Sequence, residues 1–166
     1  MPTPTPEFVI TRLLDAPQGL VYKCWTEAER LEKWWGPAGF QIRVHKLELK
    51  SGGMFLYSMR AVVGDMWGRF IFRELVPSEK IVFVNSFSDP DGDIVRAPFN
   101  AHWPLEVLNT LTLSAEGNKT RIELRGGPIN ATEAECQNFL SAFPSMQHGF
   151  GGSLDQLSVY LMLNKS

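Results

Sequence analysis

The chain has 166 residues, 44% of them apolar and 20% charged, with a formal net charge of −2. That length supports one domain, and the apolar fraction is too high for a disordered chain. Scattered basic residues argue against a nucleic-acid face, and no apolar run approaches the roughly 18 residues of a membrane span.

Met1-Pro-Thr-Pro-Thr-Pro6 lacks the basic and apolar regions of a signal peptide. Residues 1–7 therefore read as a flexible Pro/Thr tail and residues 8–166 as a single domain. Cys24 and Cys136 are too few for a disulfide framework and lack CxxC spacing. They point to a reduced, cytoplasmic protein with two buried thiols.

In chain order, Phe8–Leu14 is β-branched and aromatic enough for a strand. Asp15-Ala16-Pro17 opens a helix, where proline is tolerated in the first turn, and Leu20, Val21, Cys24 and Trp25 recur at helical spacing. Thr26-Glu27-Ala28-Glu29 has the form of a capping box for a second short helix. That helix carries Leu31, Trp34 and Trp35 and stops at Gly36-Pro37.

From Phe40 to Arg125 the apolar period becomes two. Strands are expected at Phe40–Leu47, Gly53–Arg60, Trp67–Leu75, Lys80–Phe87, Glu106–Ala115 and Thr120–Arg125. Turn signals separate them at Ser51-Gly-Gly53, Val63-Gly-Asp65, Val76-Pro-Ser78, Asp89-Pro-Asp-Gly-Asp93 and Glu116-Gly-Asn118. Connections this short suit antiparallel neighbours.

After Gly126-Gly-Pro128 the helical period returns behind a second capping box, Thr132-x-x-Glu135. Phe139, Phe143, Met146, Phe150, Leu154, Leu157 and Leu161 follow on one stripe, which Pro144 should break or kink. The order, a strand, two short helices, six strands and a long C-terminal helix, is α+β. Gly149-Phe-Gly-Gly-Ser153 lies within the stripe, although glycine costs about 1 kcal/mol relative to alanine inside a helix. Three readings follow: close approach of helix to sheet, empty volume for a ligand, or a loop that delays the helix until about Ser153.

Motifs for familiar chemistry are missing. His45, His102 and His148 are far apart and lack metal-ligand spacing. There is no GxSxG elbow, and Cys24 on an apolar helix face reads as an inert thiol. Asp89-Pro-Asp-Gly-Asp93 resembles the start of a calcium loop, but Asn100 stands where the bidentate glutamate belongs, so a polar turn is expected. The expectation is no metal, no cofactor and no assigned catalytic residue.

Strand parity goes further. With the bulkier set inward, the inner face carries Phe55, Tyr57 and Met59, then Phe70 and Phe72, then Ile81, Phe83, Asn85 and Phe87. Val107, Asn109, Leu111, Leu113, Ile122 and Leu124 complete it. Tyr57, Asn85 and Asn109 are its polar exceptions. They either orient a ligand on an apolar wall or make ordinary core hydrogen bonds. Trp34 and Trp35 point about 100° apart on a helix, so one is expected in the core and the other at a cavity rim. The long loop from Pro90 to Pro104 carries Arg96, Phe99, His102 and Trp103, and reads either as a lid or as a floppy connection.

Several strings together resemble a known family. They are Thr11-Arg12 with Asp15-Ala16-Pro17, Cys24-Trp-Thr26 running to Leu31-x-x-Trp34-Trp-Gly-Pro37, and Ser51-Gly-Gly53. Glu74-Leu-Val-Pro77 with Ile81-Val-Phe83, Ser86-Phe-Ser-Asp89, Thr110-Leu-Thr112 and Ser145-Met-Gln-x-Gly149 with Leu154-Asp-Gln-Leu157 continue the set. In order and spacing, over about residues 8 to 163, the chain resembles the START-like, helix-grip (SRPBCC) superfamily. Within it, the chain is similar to homologues of the activator of heat-shock protein 90 ATPase.

The resemblance implies a curved antiparallel sheet wrapped around a long C-terminal helix, with an apolar cavity between them. It also implies binding of a small hydrophobic or amphipathic ligand there. The expected lining is Trp35, Phe55, Tyr57, Phe70, Phe72, Phe83, Asn85, His102, Trp103, Asn109, Phe150 and Leu154. One alternative is a cyclase- or hydrolase-like enzyme on the same fold, with Tyr57, His102 and Glu106 as its candidate acid–base groups. The other is a co-chaperone-like interaction module, whose partner is a chaperone. An exposed edge strand, at Thr120–Arg125 or Phe8–Leu14, would allow a homodimer.

Overall fold

A computed structural model describes residues 6–36, 39–62 and 64–164. The tail at Met1–Thr5, Pro37 of the expected helix stop and Val63 of one expected turn lie outside the described residues. The elements run β1 (Phe8–Leu14), α1 (Gln18–Thr26), α2 (Ala28–Trp34), β2 (Gln41–Leu47), β3 (Met54–Ala61) and β4 (Gly64–Val76). They continue with β5 (Lys80–Ser88), β6 (Val107–Glu116), β7 (Lys119–Pro128), α3 (Glu133–Ser141) and α4 (Phe143–Leu163).

The seven strands form one open sheet in the order β1-β7-β6-β5-β4-β3-β2, antiparallel throughout. β2 to β7 are a meander of neighbours, joined by short connections except for the long loop between β5 and β6, and β1 returns to pair with β7. The edges are therefore β1 and β2. The Thr120–Arg125 segment expected at an edge lies inside the sheet, because β1 and β6 flank it on either side.

Alternation places one apolar face against the helices. On β6, Val107, Asn109, Leu111 and Leu113 are buried while their neighbours are partly exposed. Bulges lie between Val44 and Lys46 and between Phe72 and Glu74. The second falls after Phe70 and Phe72, so both keep the inward face assigned by parity. A single hydrophobic cluster gathers these residues with Leu20, Val21, Trp25, Leu31 and Trp34 of the short helices and Leu154, Leu157 and Leu161 of α4.

Helix boundaries show how two similar motifs diverge. Thr132 caps α3 as expected: its hydroxyl accepts the Glu135 N–H while the Glu135 carboxylate accepts the Thr132 N–H. Thr26 does not cap α2. It is the buried last residue of α1, its hydroxyl donates to the Tyr22 carbonyl at 2.8 Å, and Glu27 takes the cap position. Near Pro144 the expected single long helix is divided into α3 and α4, with the proline in the first turn of α4, where a missing N–H costs nothing. α4 then continues through Gly149, Gly151 and Gly152, which excludes the loop reading of that segment.

Cys24 is buried, and burial pushes its thiol up to about 11, which fits an inert group. Cys136 on α3 is only half-buried, contrary to the expectation of two buried thiols, because the polar turns of α3 leave that flank open.

Candidate functional site

The inward face changes character along its length. On β5, Ile81 and Phe83 are buried, whereas Asn85 and Phe87 are only half-buried. On the facing helices, Leu154, Leu157 and Leu161 are buried while Phe143, Met146 and Phe150 are half-buried. Between the half-buried sets lies a cavity of about 300 Å³, adjoined by a second of about 160 Å³. The larger is at the lower end of the range typical of small-molecule sites, about 300–1,000 Å³.

Trp35, Tyr57, Met59, Asn85, Phe87, Phe99, Met146, Gly149 and Phe150 line the larger space. The smaller one shares Asn85, Phe87, Phe99, Met146 and Phe150 and adds Trp103, Val107, Asn109 and Phe139. No Asp, Glu, Lys, Arg or His lines either cavity among the described residues.

Trp35 reaches this position because α2 ends on it. Gln156 of α4 donates to the Trp34 and Gly36 carbonyls at 3.0 and 2.8 Å, and Ser153 donates to the Gly36 carbonyl at 2.8 Å. These bonds satisfy carbonyls left free by the end of a helix. Trp34 turns into the core, where its indole N–H donates to the Cys24 carbonyl at 2.8 Å. The Trp35 ring meets Tyr57 and Phe70 edge-on, with its buried indole N–H turned toward the Tyr57 hydroxyl.

Two of the three inward polar residues face a glycine across the ladder. Tyr57 pairs with Gly68, where an added Cβ would come within 2.6 Å of the phenol oxygen. Asn109 pairs with Gly126, and a Cβ there would collide with the Asn109 amide oxygen. Glycine opposite a large side chain lets that side chain lie across the neighbouring strand.

Asn85 donates to the Arg69 carbonyl at 3.1 Å and Asn109 to the Val107 carbonyl at 3.2 Å, so each has a protein partner while it lines the cavity. Burial pushes the Tyr57 hydroxyl up to about 12, against smaller opposing effects of the Trp35 and Asn85 side chains. Tyr57 is therefore a neutral O–H donor at ordinary pH.

The loop after β5 covers one end of the cavities and is tied down. The Asp89 carboxylate accepts the Asp91 and Asp93 N–H groups, which makes a polar turn. Arg96 donates to the Trp103 carbonyl and pairs with Glu135 at the start of α3, and Asn100 donates to Asn138 at 3.0 Å. Phe99, 66% exposed, packs edge-on against Phe87 and reaches Trp103 at 6.0 Å, and Trp103 meets Phe139 at 5.6 Å.

Of the residues expected to line a pocket, Trp35, Tyr57, Asn85, Trp103, Asn109 and Phe150 come together around these cavities. Phe55, Phe70, Phe72, Phe83 and Leu154 do not; they are fully packed in the core. His102 is exposed on the loop, where its backbone N–H donates to the Asn100 side chain. Glu106 also lies outside the lining, with its carboxylate beside Asn130. Tyr57, His102 and Glu106 are thus not brought together as an acid–base set. Met146, Ser153 and Gly68 were not expected; Met146 stood on the apolar stripe, and Gly68 is recognisable only from its register with Tyr57.

No cluster of His, Cys, Asp or Glu among the described residues could hold a metal ion. No helix among them is long and apolar enough to cross a membrane.

A curved antiparallel sheet set against one long C-terminal helix, with a cavity between them, defines a START-like, helix-grip protein. Within that class the chain belongs to the family described as Activator of Hsp90 ATPase homolog 1-like protein, whose model matches residues 15–162. Among solved structures, a protein from Mycobacterium smegmatis is similar with a TM-score of 0.77 and 23% identity, over 95% of this chain and 91% of that one. A protein from Arthrobacter aurescens gives 0.78 and 24% identity over 94% and 86%. One from Rhodobacter sphaeroides gives 0.77 and 16% over 100% and 99%. Identities this low establish the fold alone. No curated protein matches the chain.

Proposed function

We propose that the protein binds a small hydrophobic or amphipathic molecule in the cavity between the sheet and α4. One observation carries the reading: a void of about 300 Å³ walled by aromatic rings and thioethers, with Trp35, Tyr57, Asn85, Ser86 and Ser153 supplying its few polar groups. Gly149 supports it, since a Cβ there would meet nothing within 4 Å, so the glycine leaves the volume empty. Free cysteines fit a cytoplasmic setting for this activity. The test is native mass spectrometry of the purified protein, followed by denaturation and small-molecule analysis. A stoichiometric bound molecule is the expected result. A clean apo mass, with no thermal shift across lipids and aromatic metabolites, overturns the reading.

A second reading, a chaperone-binding module, draws on the family description and on the exposed flank of α4. Val159, Met162 and Leu163 are 54%, 68% and 76% exposed, and Val159 and Leu163 border a groove of about 900 Å³ between α2 and α4. Stimulation of the ATPase of the matching chaperone would support this reading, and an unchanged rate would remove it.

A further inference from the structure

The outward face of β2, β3 and β4 carries a second concavity, on the side of the sheet away from α4. Ser58 lies between the inward Tyr57 and Met59 on β3, so its side chain takes the opposite face. It pairs across the ladder with Arg43 on one side and Trp67 on the other. A cleft of about 470 Å³ opens over it, within the range typical of small-molecule sites. His45 sits at the bulge of β2, without a partner in the register. Its ring lies beside Trp67 with centroids 4.3 Å apart, and its Nε2 shares a hydrogen bond of 2.9 Å with the Ser58 hydroxyl. Two flat rings therefore stand in fixed positions along one wall.

Charge gives this cleft its selectivity. Three cations, Lys33, Arg43 and Arg60, line it together with two carboxylates, Glu32 and Asp65. Both carboxylates are engaged: Glu32 accepts the Val44 N–H at 2.9 Å, and Asp65 pairs with Arg60 at 3.7 Å. Lys33 and Arg43 make no ion pair or side-chain hydrogen bond among the described residues. Two free positive charges match one dianion, and a guanidinium holds phosphate oxygens through paired N–H donors. The rings of His45 and Trp67 favour a flat group attached to that dianion.

We propose that the cleft is a second small-molecule site, which takes an aromatic phosphate monoester, its phosphate held by Arg43 and Lys33 and its ring against His45 and Trp67. The site is on the other face of the sheet from the inner cavity, so neither reading depends on the other. Phenyl phosphate, benzoate, inorganic phosphate and benzyl alcohol are the probes, titrated against the protein in ¹⁵N–¹H spectra at low salt. Phenyl phosphate should bind tightest and move the Trp67 indole resonance, assigned by its loss in Trp67→Phe. Benzoate, with less charge, and inorganic phosphate, with no ring, should each bind more weakly. Benzyl alcohol should leave that resonance in place.

Arg43→Gln should weaken phenyl phosphate about tenfold, the loss expected for one hydrogen bond between charged groups. Lys119→Gln makes the same change in net charge at the start of β7, far from the cleft, and should leave the affinity as it is. Arg43 and Lys119 are both exposed, so neither replacement endangers the fold. Should Trp67→Phe not fold, the affinities of the four probes and the two charge variants decide. A stationary Trp67 resonance with phenyl phosphate, equal or tighter binding of benzoate or inorganic phosphate, or equal losses in the two variants overturns the proposal and leaves the cavity reading standing.

Discussion

The two ends of α4 meet the same sheet in different ways. Leu154, Leu157 and Leu161 fill their end completely, in one cluster with Phe55, Phe70, Phe72 and Phe83. Phe70 stacks on Phe83 with ring centroids 4.0 Å apart and meets Phe55 edge-on at 5.0 Å. At the other end Met146, Gly149 and Phe150 face Tyr57, Asn85 and Phe87 across open volume. The inward polar residues of the sheet, Tyr57, Asn85 and Asn109, all lie at the open one of these two ends. Side-chain volume on the helix separates the ends as well, leucine at one end and glycine with flexible methionine at the other, and that choice turns a core into a cavity.

The largest expected effect lies at the packed end. Phe70→Ala should lose about 3–5 kcal/mol in urea denaturation, the usual cost of deleting a buried aromatic ring. A loss below about 1 kcal/mol would mean that this end is as loose as the other.

Next comes Tyr57, at the border of the two regions. Its hydroxyl is pushed from 10.0 to about 12 in the folded state. From pH 10 upward the unfolded chain releases a proton that the native state keeps, so stability is complete below pH 10 and falls as pH rises toward 12. At about 1.4 kcal/mol per unit, this is a loss on the order of 3 kcal/mol, and Tyr57→Phe should remove it. Cys24 titrates identically in both proteins, so the difference between their stability–pH curves isolates Tyr57. Parallel curves would place that hydroxyl in water.

The smallest effect has the opposite sign. Gly149→Leu should raise stability by up to about 1 kcal/mol, because glycine is replaced inside a helix and the side chain enters a void. The same change should remove the bound small molecule from the native mass spectrum. Unchanged binding would move the ligand elsewhere.

Much of the fold was legible in the residues. β1 coincides with its expected bounds, and the other strands follow the period of two to within a few residues, because one face of each strand is buried and the other is not. The two threonine capping motifs show where local pattern stops deciding. Thr132 precedes a helix that stands apart and caps it, whereas packing draws Thr26 into the end of α1. For the site, parity names the inward face but not depth along it. Phe70 and Phe87 read alike in sequence, yet one is fully packed and the other borders a cavity. The glycines opposite Tyr57 and Asn109 depend on strand register, which pairs residues that are distant in the chain.

The place of β1 in the sheet has a bearing on how the chain assembles. Every other strand pairs with a sequence neighbour, whereas β1, made first, pairs with β7, the last strand made. Loop closure must therefore span most of the polypeptide before the sheet is complete. During synthesis the apolar sides of β1, α1 and α2 wait uncovered while the meander forms, and such waiting surfaces are the ones prone to aggregate. β1 thus finds its partner strand only after β7 has been made.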